Sequence, residues 1–266
     1  MLDKYGPWAV ITGASSGIGA EFARQLASQR FNVVLVARRK QRLQLLAAQL
    51  RTTFQVKTVV IVADLTSVED LERVVQETSA IEVGLLINNA GMETHGPFLS
   101  SSQQALQQLI ALNICAVTHL AHAYGNRMCA QKRGGIIFVS SLSSSGIPYL
   151  SAYSSSKAYV STLAGTLHQE FRQHGVCCMA LEPGFVESEM TLPKESALGK
   201  HAATSMMPVN VCVSEALRVF GTRTFCTPGF MNRLRKVALR MLPRSLAMWI
   251  VAACLRYSQS RGRINN

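Results

Sequence analysis

Six short apolar runs alternate with stretches of helical spacing across residues 9–181, and this alternation restricts the fold more than any other feature of the chain. The runs lie near residues 9–12, 32–37, 58–63, 85–87, 136–140 and 176–181. They are largely apolar, and the run at 58–63 is β-branched as well, as strands buried on both faces are. Between them, residues 17–29, 40–51, 66–78, 101–131 and 152–173 read as helices. Leu43, Leu46, Ala47 and Leu50 fall at helical spacing, and Thr66-Ser67 before Glu69 and Asp70 is a helix-start signal. Strand–helix–strand repeats need crossovers, and right-handed crossovers wind a parallel sheet with helices on both faces. The expectation is an α/β chain with a single doubly wound, Rossmann-like parallel β-sheet. A length of 266 residues with 48% hydrophobic content provides the core for one such unit. No linker or internal repeat divides it. The alternation stops past Gly184, where residues 188–212 look irregular. A helix near 214–220, a last strand near 223–227 and two helical pieces around Pro243 follow. The expected division is a sheet domain over 1–228, with a cover at 190–212, and a helical extension of the same domain over 229–266.

Charge is distributed unevenly. The net formal charge is +12, but residues 1–215 hold 17 Lys and Arg against all 15 Asp and Glu. Residues 216–266 hold 10 Lys and Arg and no carboxylate. A nearly neutral body argues against nucleic acid as a partner. The seven cysteines are scattered, without CxxC or Cys/His ligand spacing, so neither a disulfide framework nor a metal site is expected. Free thiols and the lack of a secretory pattern at the N-terminus point to a cytoplasmic setting. The longest charge-free apolar stretch of the tail, 245–255, has 11 residues, against the roughly 20 that a spanning helix needs.

The first strand runs into Thr12-Gly13-Ala14-Ser15-Ser16-Gly17-Ile18-Gly19 and then a helix. Glycines there permit a tight turn and let backbone N–H groups approach a pyrophosphate at the positive end of the helix. The spacing is GxxxGxG, unlike the general GxGxxG fingerprint. Together with Asn88-Asn89-Ala90-Gly91 and Tyr153-Ser-Ser-Ser-Lys157, it resembles the short-chain dehydrogenase/reductase family. Asp64-Leu65 after the third strand and Pro183-Gly184 after the sixth extend the resemblance over about residues 7–227. It implies a nicotinamide dinucleotide held by Gly13, Ser15, Ser16, Gly17, Ile18 and Gly19. Asp64 and Leu65 would flank the adenine, Asn89, Ala90 and Gly91 would line the ribose, and Pro183, Gly184, Val186 and Ser188 would hold the nicotinamide. The second strand ends Ala37-Arg38-Arg39-Lys40, with no acid to accept a ribose 2′-hydroxyl. Arg38 and Arg39 suit a 2′-phosphate, so NADP(H) is expected over NAD(H).

Tyr153 and Lys157 lie one helical turn apart on one face. A neighbouring ammonium should lower the phenol's pKa and fit it for proton transfer. The resemblance adds Asn113, holding a proton relay, and a serine near the end of the fifth strand. Spacing to Tyr153 favours Ser140, whereas the motif Val139-Ser140-Ser141-Leu142 favours Ser141, which is preferred here. The implied reaction is hydride transfer between nicotinamide and a carbonyl or secondary alcohol, with Tyr153 as acid or base. Lys157 also binds the cofactor ribose.

Met190, Leu192, Met206 and Met207 give the cover an adaptable apolar character, and Met92, His95 and Tyr149 are further candidates to face substrate. The chain is similar to the branch of 17β-hydroxysteroid dehydrogenases and long-chain ketoacyl reductases, which implies a small hydrophobic substrate and a homodimer or homotetramer. In the tail, Phe230, Leu234, Val237 and Met241 form an apolar stripe beside Arg233, Lys236 and Arg240. Such a helix packs on the body or a partner subunit, or lies peripherally on an anionic membrane. A cofactor-binding sensor or scaffold without turnover is the alternative to an enzyme.

Overall fold

The computed structural model describes residues 1–189, 206–243, 245–246 and 248–253. Seven strands form one parallel sheet in the order β3-β2-β1-β4-β5-β6-β7. They are β1 Trp8–Thr12, β2 Asn32–Ala37, β3 Thr58–Val62, β4 Val83–Asn88, β5 Gly134–Val139, β6 Val176–Leu181 and β7 Phe225–Cys226. A short helix, α1 Leu2–Tyr5, precedes β1, where the sequence reads as entering the strand directly.

Each crossover is helical: α2 Gly17–Ser28, α3 Lys40–Phe54, α4 Val68–Glu77, α5 Gln103–Ile110 with α6 Val117–Ala130, α7 Ser151–Phe171 and α8 Val209–Val219. The two-residue period of the strands splits the core between the two faces. Ala9 and Ile11 face Phe22, Leu26, Leu43 and Leu217 on one side. Val10, Val34 and Leu86 face Leu71, Leu120, Tyr124 and Val160 on the other. Ser67 caps α4 by accepting a hydrogen bond from the Asp70 amide, as its sequence signal indicates.

One departure from the sequence reading matters. The long helix expected over 101–131 begins at Gln103 and contains a π turn, Ala111–Ala116, between α5 and α6. The tail follows the reading of two helical pieces around Pro243: α9 Phe230–Met241 precedes it, and helical residues follow it at 245–246 and 248–253. The expected cover at 190–212 lies outside the described residues as far as 205; Met207 bridges Val186, and α8 starts at Val209. Among the described residues no helix is long and apolar enough to cross a membrane.

Candidate active site

Strand order reverses between β1 and β4, and in open parallel sheets ligands bind beyond the strand ends at such a point. A cleft of about 350 Å³ opens there. Its lining includes Gly13, Ser15, Ser16, Gly17, Ile18, Arg38, Arg39, Asp64, Leu65, Asn89, Ala90, Gly91, Ser141, Tyr153, Lys157, Pro183, Gly184, Val186 and Ser188. Apart from Gly19, the residues named from sequence for one dinucleotide site therefore converge on one cleft.

The first turn leaves no room for side chains. Gly13 has φ +66°, and a Cβ on it would lie 2.7 Å from Asn89 Nδ2. A Cβ on Gly19 would lie 2.4 Å from the Gly13 carbonyl oxygen. Asn89 ties the second motif to the first: its Nδ2 donates to Thr12 O at 2.8 Å, while the Asn89 and Ala90 amides donate to Thr12 Oγ1 at 2.9 Å. A bare backbone at the N-terminus of α2 fits a pyrophosphate. Ser188 stands over this turn, since a Cβ on Gly17 would come within 3.2 Å of its own Cβ.

Arg39 grips the turn. Its Nε and Nη2 donate to Ser15 Oγ at 3.0 and 2.9 Å, and Nη2 donates to Ser16 Oγ at 2.6 Å. Its Nη1 meets the Glu189 carboxylate at 2.6 Å, and Arg42 binds the same carboxylate. These two guanidiniums hold the Glu189 carboxyl down at about 2. The sequence reading that no acid serves the end of β2 is corrected here. The acid arrives from 150 residues downstream in the chain. Arg38 leans the other way, with Nη1 3.9 Å from Asp64, and is well exposed. Asp64 in turn accepts from the Thr66 amide and hydroxyl at 3.1 and 2.9 Å.

At the other end of the cleft, α7 buries Tyr153 and Lys157 one turn apart. Ser141 Oγ accepts from the Ser143 amide at 3.1 Å, and its hydroxyl acts on the Tyr153 phenol. Ser140 turns away, donating to the Lys157 carbonyl at 2.7 Å and sharing a bond with Ser161 at 2.8 Å. Lys157 Nζ donates to the Val139 carbonyl at 2.8 Å and stands 5.7 Å from the Tyr153 ring centre.

The electrostatics correct a second expectation. The Tyr153 phenol is pushed up, not down: burial dominates, the Glu93 charge adds to it, and the neighbouring Ser141 hydroxyl opposes it. Burial pushes Lys157 down to about 8, with Glu93 opposing. Glu93 itself is raised by burial, against His95 and Lys157. The sequence reading named its neighbours Met92 and His95 but not Glu93. Its one signal was position, two residues past Gly91. His95 Nδ1 lies 3.5 Å from its carboxylate, and the Gly96 amide donates to Tyr149 O at 2.9 Å, closing the loop over α7.

Asn113 sits in the π turn, fully buried. Its amide clamps Met92, accepting from the Met92 amide at 2.9 Å and donating to its carbonyl at 2.8 Å, and also donates to Ser156 Oγ at 3.0 Å. A Cβ on Gly91 would lie 3.2 Å from Lys157 Nζ and 3.3 Å from Asn113 Oδ1, so both atoms converge on that glycine.

Comparison with known proteins agrees with this geometry. The short chain dehydrogenase family model matches residues 7–199. The chain is 30% identical over 254 residues to human "Inactive hydroxysteroid dehydrogenase-like protein 1", covering 94% of this chain and 76% of that protein. It is 35% identical over 201 residues to the very-long-chain 3-oxoacyl-CoA reductase of Podospora anserina, covering 73% of this chain and 59% of that one. Among solved structures, a short-chain dehydrogenase from Sphingobium yanoikuyae in complex with NADPH is similar at TM-score 0.78 and 33% identity, covering 89% of this chain and 93% of that one. The chain belongs to the short-chain dehydrogenase family.

Proposed function

We propose that the protein is an NADP(H)-dependent reductase of hydrophobic ketones or ketoacyl compounds. The observation that carries this reading is buried Tyr153 and Lys157 with Ser141 at one end of a cleft whose other end is Arg39 on Ser15 and Ser16. A bound reduced nicotinamide cofactor supplies the hydride. Tyr153 donates the proton at the carbonyl oxygen, and a phenol held protonated by burial suits that direction. Ser141 donates a hydrogen bond to the same oxygen. Lys157 holds the ribose hydroxyls, while Asn113 fixes Met92 and the loop that faces the substrate. Likeness to a ketoacyl reductase supports the substrate class, and likeness to an NADPH complex supports the cofactor.

Cofactor choice rests on Arg39. Its guanidinium presents paired donors that match a 2′-phosphate, and Glu189 competes for them. Arg39→Ala is expected to raise KM for NADPH by roughly 10- to 100-fold, the equivalent of the roughly 1.5–3 kcal/mol in charge-assisted bonds. KM for NADH should stay nearly unchanged. Glu189→Gln should lower KM for NADPH. Equal effects of Arg39→Ala on both cofactors would sink the assignment.

The two serines separate in the same assay. Ser141→Ala should lower kcat by roughly 10²- to 10³-fold, as loss of a donor to a developing oxyanion does. Ser140→Ala should leave kcat nearly unchanged and reduce stability by about 1–3 kcal/mol through its lost buried bonds.

Glu93 sets a pH limit. Reduction needs protonated Tyr153, so the rate falls as pH rises through the phenol's pKa. The Glu93 charge holds that pKa up, and it also holds Lys157 up. Glu93→Gln is therefore expected to move the alkaline limb of the rate profile to lower pH. A limb that stays in place removes Glu93 from the site's electrostatics.

A second reading, cofactor binding without turnover, is favoured by the name of the human relative. Here Asn113, Ser141, Tyr153 and Lys157 are all present and assembled, which a sensor does not require. Turnover of NADPH with a panel of hydrophobic ketones and acyl ketones decides between the two.

A further inference from the structure

The helix α9 is mounted in the opposite sense to an ordinary amphipathic surface helix. At about 100° per residue, Phe230, Leu234, Val237 and Met241 fall within about 60° of one another. In an ordinary surface helix this stripe would face the core. Here it faces solvent: Phe230 is 70% exposed, Leu234 51%, Val237 58% and Met241 81%.

Asn232 and Lys236 face the body instead, centred roughly 150° away. Lys236 reaches the buried carboxylate of Glu182. Asn232 donates to the Pro228 carbonyl at 2.9 Å and abuts Gly184, while Arg233 meets Glu215 at 3.2 Å. The outward stripe is thus fixed by the Lys236–Glu182 pair on its far side and by the Arg233–Glu215 pair on its flank. Beyond Pro243, Leu246 is 43% exposed and Trp249 is 62% exposed. Their neighbour Met248 touches the loop at Gly146, next to the cleft.

We propose that α9 and the helical residues after Pro243 seat this outward apolar stripe on an anionic lipid surface. Charge selects that occupant. No carboxylate follows Glu215, and residues 216–266 hold 10 Lys and Arg. A second copy docking by the same face would bring two such tails together, at a like-charge cost. An anionic bilayer complements both features, taking apolar side chains to the acyl boundary and, to the headgroups, the tail's cations other than Lys236 and Arg233, with an aromatic residue at the interface.

The full chain is tested by co-sedimentation with vesicles of phosphatidylcholine alone or with 30–40% (about one third) phosphatidylglycerol. Binding to the anionic vesicles is expected, weakening as salt rises. Leu234→Glu with Val237→Glu should reduce the bound fraction at least tenfold by order of magnitude, while thermal stability and NADPH binding remain as in the parent. Failure to bind either vesicle overturns the proposal, as does binding unaffected by the double variant. A concentration-dependent dimer dispersed by that variant, without vesicle binding, assigns the stripe to a second copy and overturns it too. None of these readouts requires turnover, so failure here is distinguishable from failure of the proposed reaction.

Discussion

Tyr153→Phe is expected to lower kcat/KM for NADPH-dependent ketone reduction by about 10²- to 10⁴-fold, the range for removing a positioned general acid. That corresponds to about 3–5 kcal/mol of transition-state stabilisation. The substitution keeps the ring and its packing in the buried floor of the cleft and removes only the hydroxyl. NADPH affinity should therefore change little, because Arg39 and the glycine turn are untouched. The raised phenol favours this role, since the group stays protonated at neutral pH and can donate. Stopped-flow reduction and cofactor titration on the same preparation separate chemistry from binding. Retained reduction with Phe at 153 would falsify the mechanism.

Lys236→Met is expected to destabilise the protein by about 3–5 kcal/mol, the usual effect of leaving one member of a buried pair uncompensated. Glu182 is 2% exposed. It accepts from Ser161 Oγ at 3.0 Å and from Thr227 Oγ1 at 3.3 Å, and Lys236 is its cation. Without Lys236 the carboxylate keeps two hydroxyl partners and loses its counter-charge. In a chain of this size the loss corresponds to a fall in Tm of roughly 10 °C. Adding Glu182→Gln should recover most of it, because the buried charge disappears with its partner. Thermal and urea unfolding of both single variants and the pair test this. Additive losses would mean that the two side chains act independently.

The sheet was legible because its evidence is periodic. Strands β2 and β6 begin and end where the apolar runs do, and the crossover helices follow the leucine spacing of stretches such as Leu43–Leu50. The glycine turn and the Tyr153–Lys157 pair were legible because local spacing fixes them: a strand end, a turn, one helical repeat. What periodicity cannot carry is a contact between distant segments. Glu189 binds Arg39 across 150 residues, and Lys236 binds Glu182 across 54. Glu93 enters the electrostatics of Tyr153 because a loop folds back over α7, and no spacing rule places it there. The tail shows the same limit. Its stripe was readable, but the side of α9 that faces inward is decided by Glu182 and Glu215, which lie outside the tail sequence.

The π turn at Ala111–Ala116 has a consequence for how this chain tolerates changes in length. A π turn accommodates one more residue than an α turn, and each residue of helix carries about 100° of rotation. Upstream, Leu109 is anchored in the core; downstream, Val117, Leu120, Ala121 and Tyr124 are anchored too. Deleting one residue there would restore regular helix with the two anchored sets still in phase, but it would remove the residue that the wider turn absorbs and shift Asn113 away from its partners. The exposed stretch from His95 to Ser102 has no such phase to keep. Insertions and deletions should therefore accumulate in that loop and be excluded from 109–117, so that the helix behaves as a fixed-length spacer between the core and the Met92 clamp.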